Sequence, residues 1–193
     1  VDNFWAYLNR MIYNKWDGSI REMMIQLSVM GSFTIPQAEE LTGAGNVMQV
    51  LHQARETGNL FRISGGVYTM RPALQNSMLW RMNHTYSREQ RNDLYDRAGR
   101  IYARAGDIPR ALAMFEASGN QKEIRGLLIR NVRQNQGGGY YYELGRYYLA
   151  LPEDEVLASS DLITALSMVC SGRLDAAGSE RWYQALARYA EQA

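Results

Sequence analysis

The stretch TIPQAEELTGAGNVMQVLHQARETGNLFRISGGVYTM, residues 34–70, decides the fold of the first part of this chain. Thr34 and Gln37 stand at capping-box spacing, Pro36 falls in a first turn, and Gly43 offers the left-handed stop that closes a short helix. A second helix is expected over about 46–57, with Val47, Val50, Leu51 and Ala54 on its inner face and Gly58 ending it. Two β-rich runs, 60–63 and 67–70, then flank Gly65-Gly66, the residue pair that a tight hairpin demands.

Working outward, Phe4, Tyr7, Leu8, Met11 and Ile12 recur at helical spacing before an Asp17-Gly18 turn. Ser19 with Glu22 reads as a further capping box, opening a helix that carries Ile20, Met23, Met24 and Leu27. Helix, helix, turn, helix and a two-stranded wing is the order of a winged helix. The expected domain covers residues 1–83.

Residues 84–193 read as an α-helical arm with tetratricopeptide-like (TPR-like) helical hairpins, so the fold class is mainly α. A helix is expected over 72–82, and Ser87 with Gln90 caps a long basic helix bearing Leu94, Tyr95, Ala98, Ile101, Tyr102 and Ala105. Gly106 stops it and Asp107 caps the next, whose inner face is Ile108, Ala111, Leu112 and Phe115. Asn120 with Glu123 opens another helix, carrying Ile124, Leu127, Leu128 and Val132; the glycine-rich 136–139 segment is a joint, and helix resumes over 140–151 until Pro152. A second hairpin puts Leu162, Ala165, Leu166 and Val169 on one stripe, turns at Gly172, and returns with Leu174, Ala177, Trp182 and Leu186. Gly106 and Gly172 lie 66 positions apart, each followed five residues later by alanine. That separation is near twice the period of about 34 residues of tetratricopeptide repeats, although an ordinary helical bundle also uses small residues at close approaches.

Composition narrows the function classes. The 193 residues carry a net charge of +1, unevenly spread: residues 1–70 have net −1, 71–135 have +6 and 136–193 have −4. The basic middle and acidic end can meet within the chain or head to tail. No apolar run approaches the roughly 18 residues a membrane span needs, and no leader pattern opens the sequence. The absent initial methionine and the helical pattern at the start read as a piece of a longer, cytoplasmic protein. Cys170 is the lone cysteine and falls in an apolar stripe, which fits a buried thiol. His52 and His84 stand apart from cysteine or carboxylate spacings that would hold a metal, so no metal site is expected. No catalytic triad, paired catalytic carboxylates or dinucleotide fingerprint is visible, and no enzyme activity is expected.

Two groups of residues are candidate contact sites. If the winged helix read DNA directly, Asn46, Gln49, His52, Gln53 and Arg55 on the recognition-equivalent helix and Arg62 on the wing would make the contacts. Those amides suit adenine, but phosphate-driven affinity needs several cations and the face supplies few. Tyr140, Tyr141, Tyr142, Tyr147 and Tyr148 crowd one helix beyond what a single core stripe absorbs, and are candidates for a partner or ligand surface or for packing between hairpins.

The runs SIREMMIQLSVMGSFTIPQAEELTG, LHQARETGNLF, VYTMRPALQNSML and LYDRAGRIYARAGDIPRALAMFEASG resemble the middle of MalT-like, LuxR-type transcriptional regulators. The later LPEDEVLASSDLITALSMVCSGRLDAAGSERW is similar to the start of their helical-repeat sensor region. The resemblance covers nearly the whole chain and implies a signal-transduction ATPase whose nucleotide-binding domain lies upstream and whose DNA-binding domain lies downstream. It implies ATP or ADP as cofactor of the parent protein only, because this sequence has no Gly-x-x-x-x-Gly-Lys-Ser/Thr loop. In the family a histidine after the wing approaches the nucleotide phosphate, and Arg71 stands at the matching position here. The implied partners are other domains of the same chain and further copies of it, with DNA bound elsewhere and no membrane. The rival readings are a directly DNA-binding winged-helix regulator and a free TPR-like scaffold.

Overall fold

The computed structural model describes residues 10–134 and 141–192. Among them the chain is mainly helical, with a small three-stranded antiparallel sheet, and it divides into two compact units between Ala105 and Gly106.

In the first unit a 3-10 turn, Tyr13–Lys15, leads into α1, Gly18–Leu27. Its cap is Asp17, whose carboxylate accepts from Ile20 N at 2.9 Å and from Ser19 Oγ at 2.7 Å. The expected Ser19–Glu22 box is thus corrected: an aspartate just upstream satisfies the orphan amides, and Ser19 lies inside the first turn. Glu22 instead accepts from Gln26 Nε2 at 3.0 Å and from the Tyr86 hydroxyl.

The Thr34 box is formed as read: in α2, Ile35–Thr42, Gln37 N donates to Thr34 Oγ1 while Thr34 N donates to Gln37 Oε1. Gly43 closes that helix at φ 70°. The next, α3 at Val47–Glu56, buries Val47, Val50, Leu51 and Ala54. Its end differs from expectation, because Thr57 Oγ1 donates to Ala54 O at 2.6 Å and Gly58 keeps an ordinary φ.

Strands β2, Phe61–Ser64, and β3, Val67–Met70, are joined by Gly65 and Gly66 at φ 56° and 79°, as a two-residue turn with two positive φ values requires. A strand that the sequence pattern does not reveal, β1 at Ser32–Phe33, pairs with β3 in the order β1-β3-β2, with Phe33 opposite Tyr68. Gly31 makes this possible at φ 67°, and its carbonyl accepts from Met70 N at 2.7 Å.

Two helices complete the unit, α4 at Pro72–Thr85 and α5 at Arg88–Arg104, the second opened by the Ser87–Gln90 box. Leu94, Ala98, Ile101 and Tyr102 of α5 are buried, and α5 packs against α2. The expected boundary at 83 falls in the last turn of α4, whereas the compact unit runs on through α5 to Ala105.

The second unit contains α6 at Ile108–Ser118, α7 at Gln121–Gln134, α8 at Tyr141–Leu149, the short α9 at Glu153–Leu157, α10 at Ser160–Gly172 and α11 at Ala176–Gln192. Asp107 and Asn120 accept from Arg110 N and Glu123 N, and Gly106 and Gly119 take φ 78° and 75°. The most apolar helix, α10, is the hub: Leu162, Ile163, Ala165, Leu166, Val169 and Cys170 are buried, and it packs against α7, α8, α9 and α11. Small residues allow the close crossings. A Cβ at Gly145 of α8 would stand 3.3 Å from Val169 Cγ1, and one at Gly178 of α11 would stand 3.0 Å from Cys170 Sγ.

This hairpin corrects the repeat signal. Gly172 is the last helical residue of α10, and the left-handed reversal is made by Leu174 at φ 60°. Leu174 and Ala177 are exposed, and the inward face of α11 is Gly178, Ser179, Trp182, Ala185, Leu186 and Tyr189. Gly106 and Gly172 are not equivalent, nor are buried Ala111 and exposed Ala177. Segment 136–139, Tyr140 and the first six residues of the expected N-terminal helix lie outside the described residues.

Candidate interaction surfaces

On α3 the amphipathic pattern that buries Val47, Val50, Leu51 and Ala54 necessarily turns Asn46, Gln49, His52, Gln53 and Arg55 outward, and all five are exposed. Gly45, Asn46, Met48, Gln49, His52 and Gln53 line an open groove of about 590 Å³. The chemistry of this face is amide and thioether, since Met48 is 62 % exposed. His52 Nδ1 lies 3.7 Å from Glu56 Oε1, so whatever positive charge the imidazole carries faces a carboxylate. On the hairpin Arg62 is exposed, but so are Ile63 and Val67. A surface that mixes amides with exposed apolar side chains suits another protein surface better than a phosphate backbone.

Arg71 sits at the start of α4, its main-chain N–H donating to Leu60 O at 2.9 Å. Its side chain is exposed, and with the Asn59 amide oriented to donate to Phe61 O, the Asn59 oxygen accepts from Arg71 Nη2 at 3.0 Å. One bond to a neutral amide leaves most of the guanidinium's five donors available to an anion.

The tyrosines divide sharply. Tyr141, Tyr147 and Tyr148 are buried and belong to the packing of the second unit, the packing alternative for these residues and not the partner or ligand surface. Tyr148 is the deepest: its hydroxyl donates to Leu128 O at 3.1 Å and accepts from Asn131 Nδ2 at 3.0 Å. Burial pushes its phenol up to about 12, the Asn131 donor opposing that shift. Tyr147 is held at the rim by Arg146 and Glu116, and burial raises its phenol as well. Only Tyr142 among the described members projects, at 84 % exposure. The helical period puts Tyr141, Leu144, Gly145 and Tyr148 on one side, with Tyr142 and Tyr147 on its two flanks, of which only the Tyr147 flank is covered.

The basic middle and acidic end meet inside the second unit. Arg125 pairs with Glu155 at 3.5 Å, Arg133 with Asp161 at 2.8 Å, and Arg146 with Glu116 at 2.8 Å. These are exposed pairs, worth little stability each, and their effect is to spend cations that a nucleic acid would otherwise meet.

A connection that sequence reasoning missed lies on α5. Tyr102 donates its hydroxyl to Met30 O at 3.1 Å or Ser32 O at 2.9 Å, and Arg97 Nη1 donates to Leu41 O at 2.6 Å. Arg104 adds an ion pair with Glu40. These bonds tie one helix to β1 and to the end of α2, and the only sequence signal for them is an aromatic with a polar tip on an apolar stripe.

Among the described residues no cluster of histidine, cysteine, aspartate or glutamate could hold a metal, and no helix is long and apolar enough to cross a membrane. Compared with known proteins, the chain matches no family model and no curated sequence.

Proposed function

We propose that this chain is a non-catalytic regulatory segment of a MalT-like, LuxR-type transcriptional regulator, in which a winged helix and TPR-like hairpins couple nucleotide state and inducer sensing to self-association. The supporting observation is the set of bonds from α5 to the rest of the first unit. Tyr102 and Arg97 reach main-chain carbonyls of Met30, Ser32 and Leu41, so displacement of α5 must break directional bonds to a strand and a helix end. A helix fastened in this way passes a displacement of its own position to β1 and α2, and bound inducer or nucleotide needs only a different affinity for the two positions. Arg71 is the phosphate-contacting group on this reading: its exposed guanidinium fits an anion, and the nucleotide's remaining contacts belong to the parent protein's upstream domain.

The test uses the parent protein. Arg71→Ala is expected to weaken ADP binding, and Arg97→Ala with Tyr102→Phe to leave ADP affinity unchanged while abolishing the inducer response; an unaltered response in the double variant defeats the coupling role. A second reading, direct DNA recognition, is favoured by the exposed amides of Asn46, Gln49 and Gln53. Fluorescence anisotropy of this chain with mixed duplexes at low salt separates the two. The coupling reading expects no salt-dependent binding, and appreciable binding would favour its rival.

A further inference from the structure

The outward face of α8 and the reversal that follows α10 form one open groove of about 590 Å³, lined by Tyr142, Glu143, Arg146, Gly172, Arg173 and Leu174. We infer that a second copy of this chain docks on this groove through an isologous contact. Tyr142, Arg146 and Leu149 recur at i, i+4 and i+7 on the exposed side of α8, with Tyr142 84 % and Leu149 44 % exposed. Leu174 lines the groove with Tyr142 and Arg146 at 92 % exposure. It is the one non-glycine residue with positive φ among those described, so the chain holds a large apolar side chain in water on a backbone conformation that disfavours it. Packing within the second unit gives that side chain no return.

Charge decides the occupant. Arg125, Arg133, Arg146 and Arg181 of this unit each face a carboxylate, at 3.5, 2.8, 2.8 and 2.5 Å. Glu143 and Arg173, which line the groove together, have no ion-pair partner among the described residues. A partner of one sign would bring like charge against one of the two: an acidic peptide, a phosphate backbone or an anionic lipid surface against Glu143, a basic peptide against Arg173. A two-fold axis through the groove instead sets Glu143 of each copy against Arg173 of the other, twice, with Tyr142 and Leu174 filling the space between. The patch is small, so the dimer is weak and concentration dependent rather than obligate. The biological use of this contact rests on the regulatory reading above; the contact itself rests on the groove.

Sedimentation equilibrium of the whole chain over a broad concentration series tests it. The wild-type chain is expected to dimerise. Glu143→Arg and Arg173→Glu, both at exposed positions, are each expected to weaken dimerisation by about tenfold, since each replaces two attractions by two repulsions. The double variant is expected to recover wild-type affinity, because it restores both pairs with signs exchanged. A monomer throughout, single variants that dimerise normally, or a double variant as weak as the singles would each overturn the inference. A monomeric chain that also ignores duplex DNA leaves the regulatory reading standing, whereas duplex binding strikes that reading and not the dimer.

Discussion

At the scale of single residues the second unit depends on groups whose neutrality or size is fixed by burial or by close approach. Gly178 is one: a Cβ there would run into the Asp175 carboxylate, whose Oδ1 accepts from Gly178 N at 2.9 Å and caps α11. Tyr148 is another, fully enclosed between α7 and α8 with both hydrogen-bonding capacities of its hydroxyl used. Its phenol is pushed up to about 12 from the ordinary 10.0, so burial favours the protonated form in the folded chain. Below the unfolded value both states hold the proton and the full stability is present. As pH rises past that value the unfolded chain binds fewer protons than the folded one, and stability falls until the folded phenol also titrates. Chemical denaturation at a series of pH values should therefore show declining stability between about pH 10 and 12. Tyr148→Phe should flatten part of that decline, the remainder belonging to the other groups that burial raises, Tyr141, Tyr147 and Cys170 in the second unit and Tyr86 and Tyr95 in the first. An unchanged slope would mean that Tyr148 titrates alike in both states.

At the scale of elements the most consequential contact is made by α5. The Tyr102 hydroxyl lies within reach of two carbonyls, and the side chain is 2 % exposed. Tyr102→Phe keeps the ring's packing and removes only the donor, which should cost about 1 to 2 kcal/mol in the unfolding of the first unit. A urea titration would measure it, and a loss near zero would show that solvent replaces the bond. How much of these elements could be read in advance followed how local their determinants are. The Thr34–Gln37 and Ser87–Gln90 boxes, the Gly65-Gly66 turn and the Asp107 cap each depend on residues within four positions of one another, and each formed where it was expected. Strand β1 has only two residues and exists because β3, more than thirty positions away, supplies its partners, so periodicity could not announce it. The Gly172 turn failed for a different reason: a glycine permits a left-handed turn without requiring one, and the helix continued through it to a leucine that the sequence gives no reason to place there. The tyrosine cluster was legible as crowding, but which members face outward depended on the phase of α8 relative to α7 and α10.

At the scale of the whole molecule the compact unit that runs through Ala105 has a physical origin in the packing of α5. Everything through Met82 completes the sheet and four helices, yet Leu41 O is still one of the groups that α5 reaches, and α2 still presents a face on which α5 packs. Without α5 the surface that Leu94, Ala98, Ile101 and Tyr102 cover would be open to water. Losing the burial made with four such side chains corresponds to roughly 5 kcal/mol, a large share of the stability a domain of this size commonly has. The stretch through Ala105 is therefore expected to fold on its own, with a single cooperative thermal transition and dispersed amide resonances. The stretch ending at residue 83 should melt broadly or at a markedly lower temperature, because it also cuts the last turn of α4 and removes Tyr86, which donates to Glu22. Calorimetry of the two lengths decides the matter: if both melt alike, α5 is an appendage to the first unit. In that case the Tyr102 and Arg97 bonds could not carry a change out of it.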